Sequence, residues 1–274
     1  MIKIYCFTGT GNSLAAARQL TEMLNDDCRI EMMNDWIDHD NIDPETNCVG
    51  LIFPVYTWSM PKLVKRFTRR LHISPETYIF AIYTNAGSPG ATGMNLRKML
   101  NRKKADLNAG FSLIMPSNYT PFGLFTEKKC KQTLSRAKKK LRQIAVTVAA
   151  RRSARIEKTP IFWPLAAILN PLFMAQANGG KSKFTVNDKC CGCQLCTKIC
   201  PNSNIKLENG KPVWTNSCEL CLACLHWCPV KAIEFGRVSR NGKRYHHPDI
   251  NVYDLIPPEK RRCTNDTDLQ SKSR

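Results

Sequence analysis

The feature that most constrains this chain is a duplicated run of cysteines between Cys190 and Pro229. It reads Cys190-x2-Cys193-x2-Cys196-x3-Cys200-Pro201 and then, 28 residues on, Cys218-x2-Cys221-x2-Cys224-x3-Cys228-Pro229. Flanking apolar positions repeat at the same offset: Val186 with Trp214, Ile205 with Ile233, Leu207 with Phe235. The segment is therefore an internal duplication, and neither half is large enough to enclose a site alone.

A [4Fe-4S] cube needs a thiolate on each of its four irons. Three Cys spaced two apart on a tight loop wrap one corner, and the Cys before proline reaches across to the other cube. That assigns Cys190, Cys193, Cys196 and Cys228 to cluster I, and Cys218, Cys221, Cys224 and Cys200 to cluster II. The segment resembles the two-cluster bacterial ferredoxins, in which the same crossing occurs. Pro201 and Pro229 are expected to end the short helix that carries the fourth Cys, since proline cannot continue the helical ladder. Structural zinc is the competing reading. Zinc sites usually set their Cys-x2-Cys pairs far apart, whereas here a complete quartet lies within eleven residues, twice.

At 274 residues, with 43% apolar and 23% charged content, the chain suits two globular domains. Fourteen Cys would suggest a secreted scaffold in a short chain, but eight belong to the duplication. The apolar run Ile2 to Phe7 is too short for a signal peptide, so the expectation is a reduced, cytoplasmic protein. Cys6 and Cys48 fall in predicted core strands as buried hydrophobes. Cys191, beside a ligand position, is the candidate substitute ligand.

The N-terminus reads as a buried strand, Ile2 to Phe7, a Gly-rich turn, and a helix from Ser13 to about Asn25. Strand, turn and helix together bind phosphate, because backbone N–H groups and the positive end of the helix point at the anion. Thr8, Gly9, Thr10, Gly11, Asn12 and Ser13 look like the FMN phosphate loop of flavodoxins. A dinucleotide fingerprint is the rival, with Gly9, Gly11 and Glu31 in place, but position 14 is Leu where a third Gly or Ala is needed.

Further strands are predicted at Cys28–Met33, Cys48–Val55, Tyr78–Thr84 and from Phe111 to Met115. Helices at Pro61–His72 and up to about Asn101 lie between them. This alternation predicts an α/β, flavodoxin-like doubly wound parallel sheet, with its ligand site at the carboxyl ends of the strands. Two loops there concern a flavin ring. Tyr56 and Trp58 offer flat apolar faces, and Asn85, Ala86, Gly87 and Ser88 offer backbone groups. The competing reading has both aromatics capping the core, and which of them would stack on the ring is open.

With Asn118-Tyr119 after the fifth strand, the whole chain resembles the bacterial flavodoxin/ferredoxin fusion family, the EFR-type ferredoxins. The likeness spans nearly all of residues 1–250 and includes the Thr-Gly-Thr-Gly-Asn-Ser opening, both Cys quartets and Arg244-Tyr245. It implies bound FMN, two [4Fe-4S] clusters and electron transfer.

A long helix is predicted from Thr126 to about Arg155, with Leu134, Ala137, Leu141, Ile144 and Val148 inward and Lys and Arg outward. That outer face reads either as a solvated surface or as a dock for an acidic redox partner. Residues 160–177 are apolar but interrupted by three prolines. They read as a packing segment between domains, or else as a contact with a membrane surface, rather than as a span. Asn178-Gly179-Gly180 marks a boundary. His246 and His247 read as surface or packing residues, and the chain beyond Pro257 as disordered.

The expected organisation is thus a flavodoxin-like domain over 1–155, a linker over 156–180, a small α+β ferredoxin domain over 181–238 and a basic extension over 239–274. The formal charge is +19. Cluster thiolates, cubic cores and a flavin phosphate would together remove about six of those charges, leaving a basic holoprotein that favours acidic redox partners. Electron transfer is the leading functional reading. The alternatives are a flavin-dependent reductase of a small organic acceptor and a redox-sensing or nucleic-acid-binding regulator, the last without a recognisable reader motif.

Overall fold

The computed structural model describes residues 1–119, 124–159, 172, 183–236, 239 and 242–261. Most of the expected packing segment, the Asn178-Gly179-Gly180 boundary and Cys263 lie outside the described residues. The chain divides into two compact units. Residues 1–8, 12–117 and 125–159 belong to the first, and 9–11, 118–119, 183–236 and 242–261 to the second.

The first unit is built on a parallel sheet of β1 (Ile2–Cys6), β2 (Cys28–Met32), β3 (Cys48–Pro54), β4 (Tyr78–Asn85) and β5 (Ala109–Ile114). Its strand order is β2-β1-β3-β4-β5, which is the flavodoxin-like doubly wound order. Every residue of β1 and β4 is buried, and all of β3 up to Phe53. Continuous apolar runs are what a strand needs when helices cover both its faces.

The helices supply those covers. α1 (Asn12–Met23) buries Leu14, Ala15, Ala16, Ala17 and Leu20, its alanines letting the axis come close to the sheet. α2 (Lys62–Arg70) buries Leu63, Val64 and Phe67. α1 packs with α4 (Glu127–Ala149), and α2 with α3 (Thr92–Asn101). The direction of winding reverses between β1 and β3, so the loops leaving those two strands diverge there.

The long helix stops earlier than its periodicity predicts, at Ala149 rather than near Arg155. After Val148 the next inward positions fall on Arg151 and Arg152, so there is no apolar group left to bury. Arg151 takes a left-handed conformation (φ 47°), and the chain returns along β5. Ala154 and Glu157 N–H groups donate to Asn108 and Gly110 carbonyls, each at 2.9 Å. Tyr83 Oη donates to Glu157 O at 2.6 Å, and Lys140 pairs with the Glu157 carboxylate at 2.7 Å.

In the second unit β6 (Phe184–Val186) pairs antiparallel with β9 (Ile233–Phe235), and β7 (Ile205–Glu208) with β8 (Lys211–Trp214). Each pair takes one strand from each repeat or joins their facing ends, so the duplicated halves close on each other. Phe184 stacks on Trp214 at 4.9 Å and leans on Phe235 at 4.8 Å. Short helices at Leu195–Lys198 and Ala223–His226 carry the third Cys of each quartet. The sequence placed the fourth Cys on these helices. Instead Cys200 and Cys228 lie just beyond them, because the last helical N–H groups belong to Ile199 and Trp227.

Disorder was expected from Pro257 onward, yet Pro258–Arg261 forms a helical turn. Arg261 Nε holds Ile256 O at 2.7 Å and Lys260 Nζ reaches Ser203 Oγ at 3.1 Å, contacts that local composition does not announce. Among the described residues no helix is long and apolar enough to cross a membrane.

Candidate functional site

The duplication is visible in the backbone. Gly192 and Leu220 both have positive φ, 66° and 53°, as do Gln194 and Leu222, at 62° and 59°. Ser203 and Lys231 repeat the pattern at 47° and 50°. These left-handed positions curl each Cys-x2-Cys-x2-Cys stretch so that its thiols face inward. After the fourth Cys, the Asn204 N–H donates to Cys200 Sγ at 3.3 Å and the Ala232 N–H to Cys228 Sγ at 3.2 Å. At Cys200 this bond opposes burial, which raises the thiol overall.

Each half alone does not gather its own four cysteines. One cavity, with room of about 20 Å³ for water-sized centres, is lined by Cys190, Cys193, Cys196 and Cys228. A second, with the same room of about 20 Å³, is lined by Cys218, Cys221, Cys224 and Cys200. Among the described residues no three His, Cys, Asp or Glu side chains converge on a point suited to one metal ion. The thiols are instead spread around the walls of the two hollows.

Burial, with repulsion from neighbouring thiols, pushes Cys193, Cys196, Cys221 and Cys224 up. Burial raises Cys196 to about 12, with Cys193, Cys228 and Cys190 adding to it. Cys224 is raised well above the ordinary thiol value by burial, then by Cys221, Cys218 and Cys200. Four thiolates cannot share such a space alone, and a cationic group among them reverses that logic. The donor set fits an iron–sulfur cube on this ground.

The surrounding framework is held by His226, which the sequence did not single out, and by Arg244, which it did. Buried His226 accepts the Tyr245 N–H at Nδ1 (3.0 Å), which leaves Nε2 to donate to Asn118 O (2.7 Å). Burial lowers its pKa to about 4, so the ring is neutral. Arg244 donates to the carbonyls of Leu225, Ser239 and Ile233 at 2.8–3.0 Å. Of the two later histidines, His246 is exposed and stacks on Trp227 at 4.2 Å, while His247 is 1% exposed.

Thr8, Gly9, Thr10 and Gly11 lead into α1, which begins with Asn12 and Ser13, and all six but Asn12 are buried. Their side chains are turned on the protein. Asn12 Nδ2 donates to Pro116 O (2.9 Å), Ser13 Oγ lies 2.9 Å from Thr84 Oγ1, and Thr10 Oγ1 accepts from Asn118 Nδ2 (3.1 Å). Within the second unit, Trp227 Nε1 donates to Gly9 O at 3.0 Å and the His247 N–H to Thr10 O at 2.8 Å. A Cβ at Gly9 would stand 2.4 Å from Cys221 O, and Gly11 has φ 92°. Gly9 is thus required by packing, and Gly11 by its left-handed conformation.

At the strand ends, Tyr56 is 8% exposed and meets Phe7 edge-on at 6.3 Å. Thr57 and Trp58 occupy left-handed positions in a tight turn closed by Tyr56 and Ser59, which leaves Trp58 half-buried. Tyr56 is buried, and Trp58 is the more exposed of the two. Asn85 folds its own loop, accepting the Gly87 N–H at 3.0 Å and donating to Ser112 Oγ at 2.7 Å. Ala86 and Gly87 are exposed, and Ser88 Oγ accepts the Gly90 N–H at 3.3 Å.

The sequence reading noted Trp214 only as an apolar repeat position, and missed Asn204 and Glu219 of the second cavity's wall. The signal lay in the repeat itself, because the partners of Asn204, Trp214 and Glu219 28 residues away are Ala232, Val186 and Cys191.

No family model and no curated protein matches the chain. Among solved structures it is similar to an FMN-dependent NADH-azoreductase from Bacillus anthracis, at 12% identity over 54% of this chain and 98% of that one, TM-score 0.39. It is also similar to Smu.1420 from Streptococcus mutans, at 13% identity, 52% and 98% coverage and TM-score 0.36. A Megasphaera elsdenii flavodoxin shares 16% identity, with 51% and 99% coverage and TM-score 0.30. The fold assignment rests on the strand order rather than on these likenesses.

Proposed function

We propose that the chain is an electron-transfer protein that holds two [4Fe-4S] clusters in its second unit and FMN in its flavodoxin-like unit. One observation carries this reading: the two cavities, each lined by three Cys of one repeat and the fourth of the other. The positive-φ curls orient the thiols, the N–H groups of Asn204 and Ala232 donate to the sulfurs of Cys200 and Cys228, and burial excludes water.

The flavin part is supported by the switch point between β1 and β3, the Gly-rich turn before α1 and the half-exposed Trp58. Since the Asn12 and Ser13 side chains are engaged, the phosphate would be held by backbone N–H groups of the first turn of α1. When bound, the clusters supply one-electron steps and FMN one- or two-electron steps. An acidic redox protein is the proposed partner, and the cytoplasm the proposed compartment.

A second reading, reduction of a small acceptor by the same chain, is favoured by a cavity of about 720 Å³ beside Cys228. Trp227, Lys231, Lys243 and His246 line it, suiting a planar anion. Steady turnover with such an acceptor and no protein partner would select it.

Anaerobic reductive titration tests the main reading. Uptake of about four electrons per chain is expected, one for each cluster and two for the flavin. About two would remove the flavin, and none would remove the function.

A further inference from the structure

The two cavities are nearly equal in size but not in what lines them. At the 28-residue offset, Asn204 stands where the other half has Ala232, and Trp214 where it has Val186. The cavity of Cys200, Cys218, Cys221 and Cys224 is therefore lined by two residues that carry side-chain N–H groups, Asn204 with Nδ2 and Trp214 with Nε1. Both atoms are buried and have no hydrogen-bond partner among the described residues. In the other cavity the one wall residue with a side-chain amide, Gln194, is exposed.

Neither orientation is arbitrary. Asn204 Oδ1 accepts from the Ser217 N–H and from Thr215 Oγ1, each at 2.6 Å, so Nδ2 is the atom left over. The Trp214 ring is fixed by its near-parallel stack on Phe184, 7° between planes. Buried donors without acceptors are costly, and proteins seldom keep them unless something outside the chain accepts.

We propose that Asn204 Nδ2–H and Trp214 Nε1–H donate to sulfur atoms of the cluster held by Cys218, Cys221, Cys224 and Cys200, and raise its reduction potential. The inference rests on the iron–sulfur reading above. Reduction adds negative charge to the cube and its sulfurs. A donor aimed at them stabilises the reduced state more than the oxidised one, and hydrogen bonds to sulfur are an established control of cluster potential. Glu219, buried in the same wall with Oε1 accepting from Asn202 Nδ2 at 3.2 Å, acts in the opposite direction. The claim therefore concerns what each donor adds, not the order of the two potentials.

The test is an anaerobic spectroelectrochemical titration of the full chain, with iron and sulfide measured on the same samples and exchangeable-proton couplings read from the reduced clusters. Trp214→Phe keeps the ring and its stack but removes the N–H. Asn204→Ala installs the residue found at position 232. Trp214→Phe is expected to retain about eight irons, lower one of the two cluster midpoints, leave the other in place, and remove an exchangeable-proton coupling from the cluster that moved. Asn204→Ala is expected to move the same midpoint in the same direction. If Asn204→Ala loses its cluster, Trp214→Phe decides. Full iron with both midpoints and all couplings unchanged overturns the inference and leaves the iron–sulfur reading standing. A wild-type chain without iron and sulfide overturns that reading, and the inference with it.

Discussion

At the scale of single residues, Gly9 and His247 show how one position serves two demands. The turn containing Gly9 suits a phosphate, but Gly9 is also where the Cys221 carbonyl comes closest. Gly9→Ala would drive a methyl group into backbone that cannot yield, and is expected to destabilise the chain by about 1–3 kcal/mol, read as a lower thermal midpoint. An unchanged midpoint would mean that the approach is looser than described. His247 is buried, and burial lowers its pKa below the usual 6.5, with Asp249 opposing. Between the folded value and 6.5 the unfolded chain binds more protons, so the stability His247 contributes is full above 6.5 and shrinks as the pH falls through it. Denaturation midpoints at pH 7.5 and 5.5 are expected to differ less in His247→Gln than in the wild type. The sequence could not place either burial: Gly9 and its partner Trp227 are 218 residues apart.

At the scale of elements, the parallel strands were legible because β1, β3 and β4 are apolar runs buried on both faces, a pattern with few other uses. The Cys quartets were legible because thiol spacing is dictated by chemistry. Helix ends were less so. The stripe of α4 specifies where burial stops, at Val148, but the basic residues that follow fit a helix as well as the strand-like return along β5. The crossing between repeats has its own test. If Cys228 shares a cluster with Cys190, combining Cys228→Ser with Cys190→Ser costs no more iron than either alone, leaving about four irons. Combining Cys228→Ser with Cys218→Ser is expected to damage both clusters. The reverse pattern, measured as iron per chain, would return each quartet to a single repeat.

At the scale of the whole molecule, charge is the feature a partner meets first. The chain carries 41 Lys and Arg against 22 Asp and Glu. In α4 Glu127 is the only acid, while Lys128, Lys131, Lys138, Lys139 and Arg142 are exposed. Such a face speeds encounter with an acidic protein and loses that advantage as salt screens it. Lys138→Glu, Lys139→Glu and Arg142→Glu together are expected to slow association with an acidic flavodoxin probe about tenfold or more at low salt, and to flatten its salt dependence. Equal rates for variant and wild type would assign the face to solvation alone.

The central claim is that the two cysteine-lined hollows hold iron–sulfur cubes. Its most direct test is the iron, acid-labile sulfide and zinc content of the anaerobically purified chain. About eight irons and eight sulfides per chain, without zinc, is the predicted result. Zinc bound in place of iron and sulfide would contradict it.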